Sequence, residues 1–196
     1  MILQIARLAH LVERKPLNLV LGGPTWKVRL GRRDSTTAGL DLENTSLPPA
    51  SMDLPALINN FKKQGLNKRD LIALSGCHTV GFSQCLIFRN RIHNATNIDP
   101  AFAKHRRATC PLTGGNANHA PFDTAYFKDL VKQRGLLASD QALSNGGSTD
   151  KLVKTYSLNP NAFWVDFGNS MIRMGNIKPL TGKQAEIRVN CRKVNY

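Results

Sequence analysis

The chain has few acidic residues and no long apolar run, and each shortage excludes a class of protein. Lys and Arg number 27 against 13 Asp and Glu, so the formal net charge is +14 at pH 7. No apolar stretch approaches the roughly 18 residues that a membrane-spanning helix needs, so we predict no membrane span. The apolar fraction of 41% over 196 residues suffices for one substantial core or two small lobes.

We expect no secretion signal in the first residues of this sequence. Residues 1–12 are apolar but include Arg7 and His10, and no small-residue cleavage site follows them. Read alone, this segment favours a cytosolic protein. Two glycosylation sequons, at Asn44 and Asn94, favour a secreted one.

The excess of positive charge favours an anionic partner, either nucleic acid, an acidic polysaccharide or an anionic membrane. The basic residues are scattered along the chain rather than gathered in a tail or block. No nucleic-acid recognition motif accompanies them, so we expect no nucleic-acid binding.

Apolar residues recur at helical spacing through most of the chain, which predicts an all-α fold. The predicted helices begin after Ser51 or Asp53 and end at Gly65, cover 68–78, begin at Asp123 and end at Gly135, begin at Thr149 and stop at Asn159, and cover 161–174. Minor β-prone pieces lie at 27–30 and 186–190, and 111–120 is a predicted loop. We read the aromatic residues of these stripes as core packing.

The most informative stretch is LIALSGCHTVG at 71–81, in which an apolar helical run carries His78 at its end. A histidine held there can point its imidazole into an apolar cavity, while the polar Thr79 beside it can bind a hard ion. The stretch closely resembles the proximal histidine motif of the plant secretory (class III) haem peroxidases.

Further motifs extend this resemblance over about residues 17–196, in the order in which the family has them. They are GGPTWKVRLGRRDS at 22–35, LPP at 47–49, GLLASDQ at 135–141, and the MGNI…LTG…EIR…NC pattern within 174–191. Residues 8–16 depart from the family. The resemblance implies a single, partial haem-peroxidase domain over 1–196, with the mainly helical fold of that family.

The resemblance implies haem b as the cofactor, with His78 as the axial ligand of the iron. In the family a buried aspartate accepts a hydrogen bond from the other ring nitrogen, and Asp140 matches its position. A charged acceptor gives the histidine imidazolate character, which favours higher iron oxidation states. The alternatives are a core histidine for His78 and a helix cap for Asp140. Pro48 falls in the family's substrate-access segment.

Calcium is the second implied cofactor, at a site with a shortened loop. Thr79 matches a calcium ligand of the family, and Asp123 matches the last aspartate of the partner loop. The earlier aspartate and threonine of that loop are deleted here. Because Ca²⁺ takes six to eight oxygen ligands, we expect an incomplete site.

Four cysteines allow three pairings, and the resemblance implies that Cys85 pairs with Cys110. Cys191 matches a family cysteine whose partner lies upstream of residue 1. Cys77 stands where the family has a small residue and is expected to be a buried thiol. One disulfide and two free thiols are therefore expected.

The family's distal arginine and histidine, which activate hydrogen peroxide, match nothing in this chain. We therefore expect the C-terminal, haem-proximal part of an extracellular or cell-wall glycoprotein that responds to oxidative stress. The implied function of the whole enzyme is reduction of hydrogen peroxide coupled to one-electron oxidation of phenolic donors, by a monomer. The alternatives are a haem-binding pseudo-peroxidase and a basic protein that binds acidic cell-wall polysaccharide without catalysis.

Overall fold

Helices dominate the computed structural model, which describes residues 24–37, 46–79, 82–113, 119–121 and 125–195. They are α1 Leu54–Lys63, α2 Lys68–Ser75, α3 Cys85–Asn94, α4 Pro100–Thr109, α5 Tyr126–Val131, α6 Ala138–Gln141, α7 Asp150–Leu158 and α8 Pro160–Gly175. Two short antiparallel strands, β1 Phe82–Gln84 and β2 His119–Pro121, pair with each other. The all-α prediction is confirmed. No helix in the described ranges has the length and apolarity needed to cross a membrane.

Helix α1 begins where the sequence predicts. Of the two candidate caps, Asp53 is the one used, because its side chain accepts a 2.9 Å hydrogen bond from the Ala56 N–H. The helix ends at Lys63, and Gly65 then adopts a left-handed φ of +77° that lets the chain turn away.

Helix α2 is shorter than predicted. Asn67 caps it by accepting hydrogen bonds from two backbone N–H groups, and the Asp70 carboxylate accepts one from the Asn67 N–H. Regular α-helix ends at Ser75, and a 3₁₀ turn, Gly76–Thr79, carries the chain past His78. The prediction of one α-helix through His78 is therefore wrong for its last turn.

Helix α5 ends before Gly135, contrary to the prediction. The chain leaves the helix after Val131, and Gln133 takes a φ of +58°. The Arg134 N–H then donates to the Asp129 carbonyl at 2.8 Å, which closes the helix end without a glycine. Gly135 is needed for close packing instead, since an added Cβ would lie 2.9 Å from Leu130. The predicted cap Asp123 lies outside the described residues.

Helices α3 and α4 and the two short strands are absent from the sequence prediction, and one of the strands lies in the predicted loop. The β-prone pieces do not form strands in the described chain. Isolated bridges join Arg32 to Thr181 and Asp34 to Glu186 instead.

The buried apolar residues form two clusters. The larger one joins α1, α2, α5, α7 and α8 around the aromatic rings of Phe127, Tyr156 and Phe163. The smaller one lies around α3 and α4 and contains the disulfide that links Cys85 to Cys110. The disulfide implied by the resemblance is thus present, and Cys77 and Cys191 are free thiols.

Candidate functional site

The end of α2 delivers His78 into the protein interior. The 3₁₀ turn Gly76–Thr79 follows α2 directly, and His78 is only 5% exposed. The turn fits because Gly76 lacks a side chain, since an added Cβ would lie 2.6 Å from Cε2 of Phe163. A glycine before the histidine therefore lets the turn approach the aromatic core.

His78 is hydrogen-bonded to Asp140, which follows it by 62 positions. Its Nδ1 lies 2.7 Å from Oδ1 of Asp140, and the two side chains are 6% and 2% exposed. Because a carboxylate only accepts, Nδ1 of the imidazole carries a proton and donates it, and in the neutral ring the lone pair is then on Nε2. The contact fixes both the orientation of the ring and its tautomer.

Asp140 also anchors the local backbone. Its Oδ2 accepts a 3.2 Å hydrogen bond from the Leu137 N–H at the start of α6. The sequence left two roles open for Asp140, an acceptor for the histidine ring or a helix cap. In the structure one oxygen makes each contact, so the two roles coexist.

Tyr126 is a member of this group that the sequence reasoning assigned to core packing. Its hydroxyl donates to Oδ1 of Asp140 at 2.9 Å, and its ring packs edge-on to His78 with centroids 6.1 Å apart. Burial, followed by the Asp140 charge, raises the pKa of Tyr126 well above its usual value. The sequence does contain a signal for this role. A tyrosine in an apolar helix stripe is expected to be buried, and a buried tyrosine hydroxyl usually has a hydrogen-bond partner.

Gln141 holds the segment that carries Asp140. Its Nε2 donates to the Leu130 and Ser144 carbonyls at 3.0 and 2.7 Å, and its Oε1 accepts from the Gly135 N–H at 3.1 Å. Gln141 is fully buried. The residue next to Asp140 therefore ties the chain on both sides of α6 to α5.

Arg91 on α3 supports the same segment. Its Nε donates to the Gly135 carbonyl at 2.7 Å, and its Nη1 and Nη2 donate to Asn97. Burial lowers the pKa of Arg91, while the charge of Asp140 opposes that shift. A buried arginine thus links the disulfide cluster to the segment behind Asp140.

Pro48 is buried. The chain two residues after it packs against α6, because the Ala50 carbonyl accepts a 2.8 Å hydrogen bond from the Ser139 N–H. The structure therefore brings the segment of Pro48 next to the helix of Asp140. The role of Pro48 at a substrate entrance stays a prediction.

The predicted calcium ligands are described only in part. Thr79 is half-buried and directly follows His78, whereas Asp123 lies outside the described residues. Within the ranges described, no three His, Cys, Asp or Glu side chains come together as a metal site. The calcium assignment stays a prediction.

The remaining predicted sites lie at the surface or outside the described ranges. Asn94 is exposed at the end of α3, where its Nδ2 donates to Oδ1 of Asn90 at 2.6 Å. Asn44 lies outside the described residues. Cys77, beside His78, is partly buried, and burial raises the pKa of its thiol to about 12.

A scan against protein-family models matches the family described as Peroxidase over residues 5–159, which is more than half of the chain. Named relatives agree with that match. Peroxidase 4 of Vitis vinifera is 53% identical over 187 residues, which cover 90% of this chain and 58% of the relative. Peroxidase 70 of Zea mays is 54% identical over the same shares of both chains.

Peroxidase 67 of Arabidopsis thaliana is 51% identical over 188 residues, which cover 90% of this chain and 60% of the relative. The chain thus spans about three-fifths of the length of the relatives it matches. Its helices, its buried histidine–aspartate pair and its disulfide occur in a sequence that matches peroxidases along nearly its whole length, so this chain belongs to the peroxidase family, with relatives among the plant class III enzymes.

Proposed function

We propose that this chain is the haem-proximal part of a peroxidase that reduces hydrogen peroxide and oxidises small phenolic donors in one-electron steps. The observation that carries the proposal is the buried 2.7 Å contact between His78 Nδ1 and Asp140 Oδ1. A neutral imidazole oriented by a carboxylate is a suitable axial ligand for haem iron. The donor set therefore fits haem b, with Nε2 of His78 as the ligating atom.

Haem, when bound, supplies the redox chemistry that peroxide reduction requires. His78 would hold the group from one side, and Asp140 would keep the ring from rotating. Asp140 would also increase electron donation from the imidazole by accepting a hydrogen bond from its Nδ1–H. Tyr126 and Leu137 fix the carboxylate in turn, because each donates to one of its oxygens.

The other roles implied by the family complete the proposal. We assign Pro48 to the substrate entrance, Thr79 and Asp123 to an incomplete calcium site, and Asn44 and Asn94 to glycosylation in an extracellular location. The chain would act as a monomer with one domain over 1–196. Peroxide activation also requires the family's distal arginine and histidine. Accordingly, we propose that the 196-residue chain binds haem and that efficient turnover belongs to the longer enzyme.

A haemin titration followed by the Soret absorbance tests the proposal. The chain should bind one haemin, and His78→Ala should abolish the specific Soret shift. His93→Ala is the matched control, since His93 is half-buried and bonds its Nε2 to the Cys110 carbonyl, in the other cluster. An equal loss in the two variants, or none in His78→Ala, would contradict the assignment of His78.

Peroxide added to the loaded chain then separates enzyme from pseudo-peroxidase. Phenol oxidation well above that of free haemin would show that this chain is catalytic by itself. A haem spectrum without turnover would identify a haem-binding pseudo-peroxidase. The second result is the one we expect.

A cavity of about 320 Å³ favours a second candidate function, binding of acidic polysaccharide. Its lining includes Lys63, Arg173 and Lys178, and no acidic side chain is among the described residues that line it. Arg173 is paired with Asp70, so Lys63 and Lys178 are the cations of the lining that can attract a uronate carboxylate. Retention on immobilised polygalacturonate should fall in the double variant Lys63→Gln/Lys178→Gln and with rising salt. The double variant Lys104→Gln/Lys151→Gln, which removes the same charge from exposed helix positions, is the control, and equal retention of both would reject the cavity as the site.

A further inference from the structure

Oδ1 of Asp140 accepts two hydrogen bonds. One comes from Nδ1 of His78 at 2.7 Å and the other from the Tyr126 hydroxyl at 2.9 Å. All three residues are at most 6% exposed. The phenol and the imidazole therefore share one acceptor atom, and their burial keeps water from competing for it.

An acceptor oxygen that is shared by two donors attracts each of them less strongly than it would attract one donor alone. A carboxylate oxygen with one donor concentrates its negative charge on that donor, and a second donor draws part of the charge away. In a buried, low-dielectric site such coupling between neighbouring hydrogen bonds is larger than in water. The Tyr126 hydroxyl thus weakens the pull of Asp140 on the Nδ1 proton of His78.

We propose that Tyr126 is a positioning residue that limits the negative charge Asp140 presents to His78, and that it thereby sets how strongly the imidazole donates electrons through Nε2. The first half concerns this chain's own hydrogen bonds. The second half rests on the proposed function, because it requires a metal at Nε2.

A second buried tyrosine provides a matched comparison. Tyr156 is 3% exposed and donates to Oδ2 of Asp166 at 2.6 Å. That oxygen also accepts from Nη1 of Arg69 at 2.8 Å, and the Arg69 side chain is 55% exposed. Tyr156 therefore makes the same type of bond to a carboxylate that bears no imidazole.

The test is the NMR resonance of the His78 Nδ1 proton in the haem-free chain, with histidine labelled by ¹⁵N. A stronger bond to a carboxylate moves this proton downfield. Tyr126→Phe should therefore shift it downfield by well more than its line width, and Tyr156→Phe should leave it in place. A folded Tyr126→Phe variant with an unchanged or upfield resonance would overturn the proposal.

A second variant keeps the test decisive if Tyr126→Phe does not fold. Incorporation of 3-fluorotyrosine at position 126 preserves the ring and makes the phenol a stronger donor. The Nδ1 proton of His78 should then move upfield, opposite to the effect of Phe. The same replacement at position 156 is the control, and an unshifted proton in the 126 variant would reject the shared-acceptor account.

The haemin complex tests the second half. Tyr126→Phe should lower the iron reduction potential relative to the unmodified chain, because a more anionic imidazole stabilises the oxidised metal. A downfield proton with an unchanged potential would overturn the claim about electron donation and leave the hydrogen-bond claim standing. Failure of the chain to bind haemin would instead reject the proposed function, and the haem-free spectra would still decide the role of Tyr126.

Discussion

Asp70 and Asp140 are both buried carboxylates, and a comparison of their surroundings distinguishes a purely structural role from a role at the candidate site. Asp70 is fully buried at the start of α2. Its oxygens accept from the Asn67 N–H at 2.9 Å, the Ser170 hydroxyl at 2.7 Å and Nε of Arg173 at 2.8 Å. Two of these partners belong to α8, so Asp70 ties α2 to α8, and a permanent cation neutralises it.

Asp140 also accepts three hydrogen bonds, but none of its donors is a permanent cation. They are the imidazole of His78, the hydroxyl of Tyr126 and the backbone N–H of Leu137. Among the contacts described, no Lys or Arg side chain pairs directly with Asp140, so its charge acts on the ring of His78. The same kind of side chain thus holds helices together at one site and orients the proposed haem ligand at the other.

The largest effect on stability is expected from Asp70→Ala. It leaves the Ser170 hydroxyl buried without its acceptor and removes the partner of Arg173, which should lower the free energy of unfolding by about 3 kcal/mol. Urea unfolding followed by circular dichroism measures the change. Asp53→Ala, which removes an exposed helix cap, should cost about 1 kcal/mol, and equal losses in the two variants would contradict the role given to Asp70.

For haemin affinity, in contrast to stability, Asp140→Ala should have a larger effect than Asp70→Ala. We expect the affinity to fall by about 10- to 100-fold, because the ring of His78 loses the partner that orients it. The cost in stability should be about 2 kcal/mol, since the stranded donors are neutral. Asp70→Ala, measured where it is fully folded, should bind haemin normally, and a matching loss of affinity there would break the distinction.

Gly76→Ala tests the packing of the 3₁₀ turn that joins α2, which carries Asp70, to His78. Its Cβ would collide with Phe163, so we expect the free energy of unfolding to fall by about 2 kcal/mol. Gly168→Ala, inside α8, is the opposite control. A Cβ there lies 3.8 Å from its nearest neighbour, Cβ of Trp26, so alanine should stabilise the helix by about 0.5 kcal/mol. Thermal unfolding of both variants should show shifts of opposite sign, and two shifts of the same sign would refute the packing argument.

The smallest expected effect is a difference in reactivity between the two free thiols, which report on the exposure of their surroundings. Cys191 is exposed, whereas Cys77 is partly buried beside His78 with a pKa of about 12. A thiol reagent should therefore modify Cys191 quickly at pH 8 and leave Cys77 unmodified. Raising the pH to 10 should still leave Cys77 slow, because its thiol remains protonated below its pKa. Mass spectrometry of the modified peptides assigns each site, and rapid modification of Cys77 in the folded chain would show that the His78 region is open.

The sequence predicted the parts of the fold that carry a local signal. Asp53 and Asn67 cap the helices that follow them because their short side chains reach the first free N–H groups. Helix α4 was missed although it has the same kind of start signal, in which the Asp99 side chain accepts a hydrogen bond from the Phe102 N–H. It shows no clear apolar stripe, because Ala103 is its one buried residue. The end of α5 was missed because Gln133, rather than a glycine, takes the left-handed conformation.

The sequence also predicted part of the candidate site and missed the rest. His78 and Asp140 stand out because each lies in a motif, and their pairing followed from the resemblance. Tyr126 lies in an apolar stripe, where one sequence cannot separate a packing phenol from a hydrogen-bonding one. Arg91 looks like a surface residue in the sequence, and its burial depends on the fold around Gly135. Long-range partners of this kind are set by tertiary packing rather than by local pattern.

The two oxygens of Asp140 have a consequence for assembly. Oδ2 binds the Leu137 N–H at the start of α6, while Oδ1 binds the ring of His78. The carboxylate can face the imidazole correctly only in molecules where that short helix has formed in its proper register. A single side chain therefore couples the orientation of the His78 ring, the proposed iron ligand, to the formation of α6.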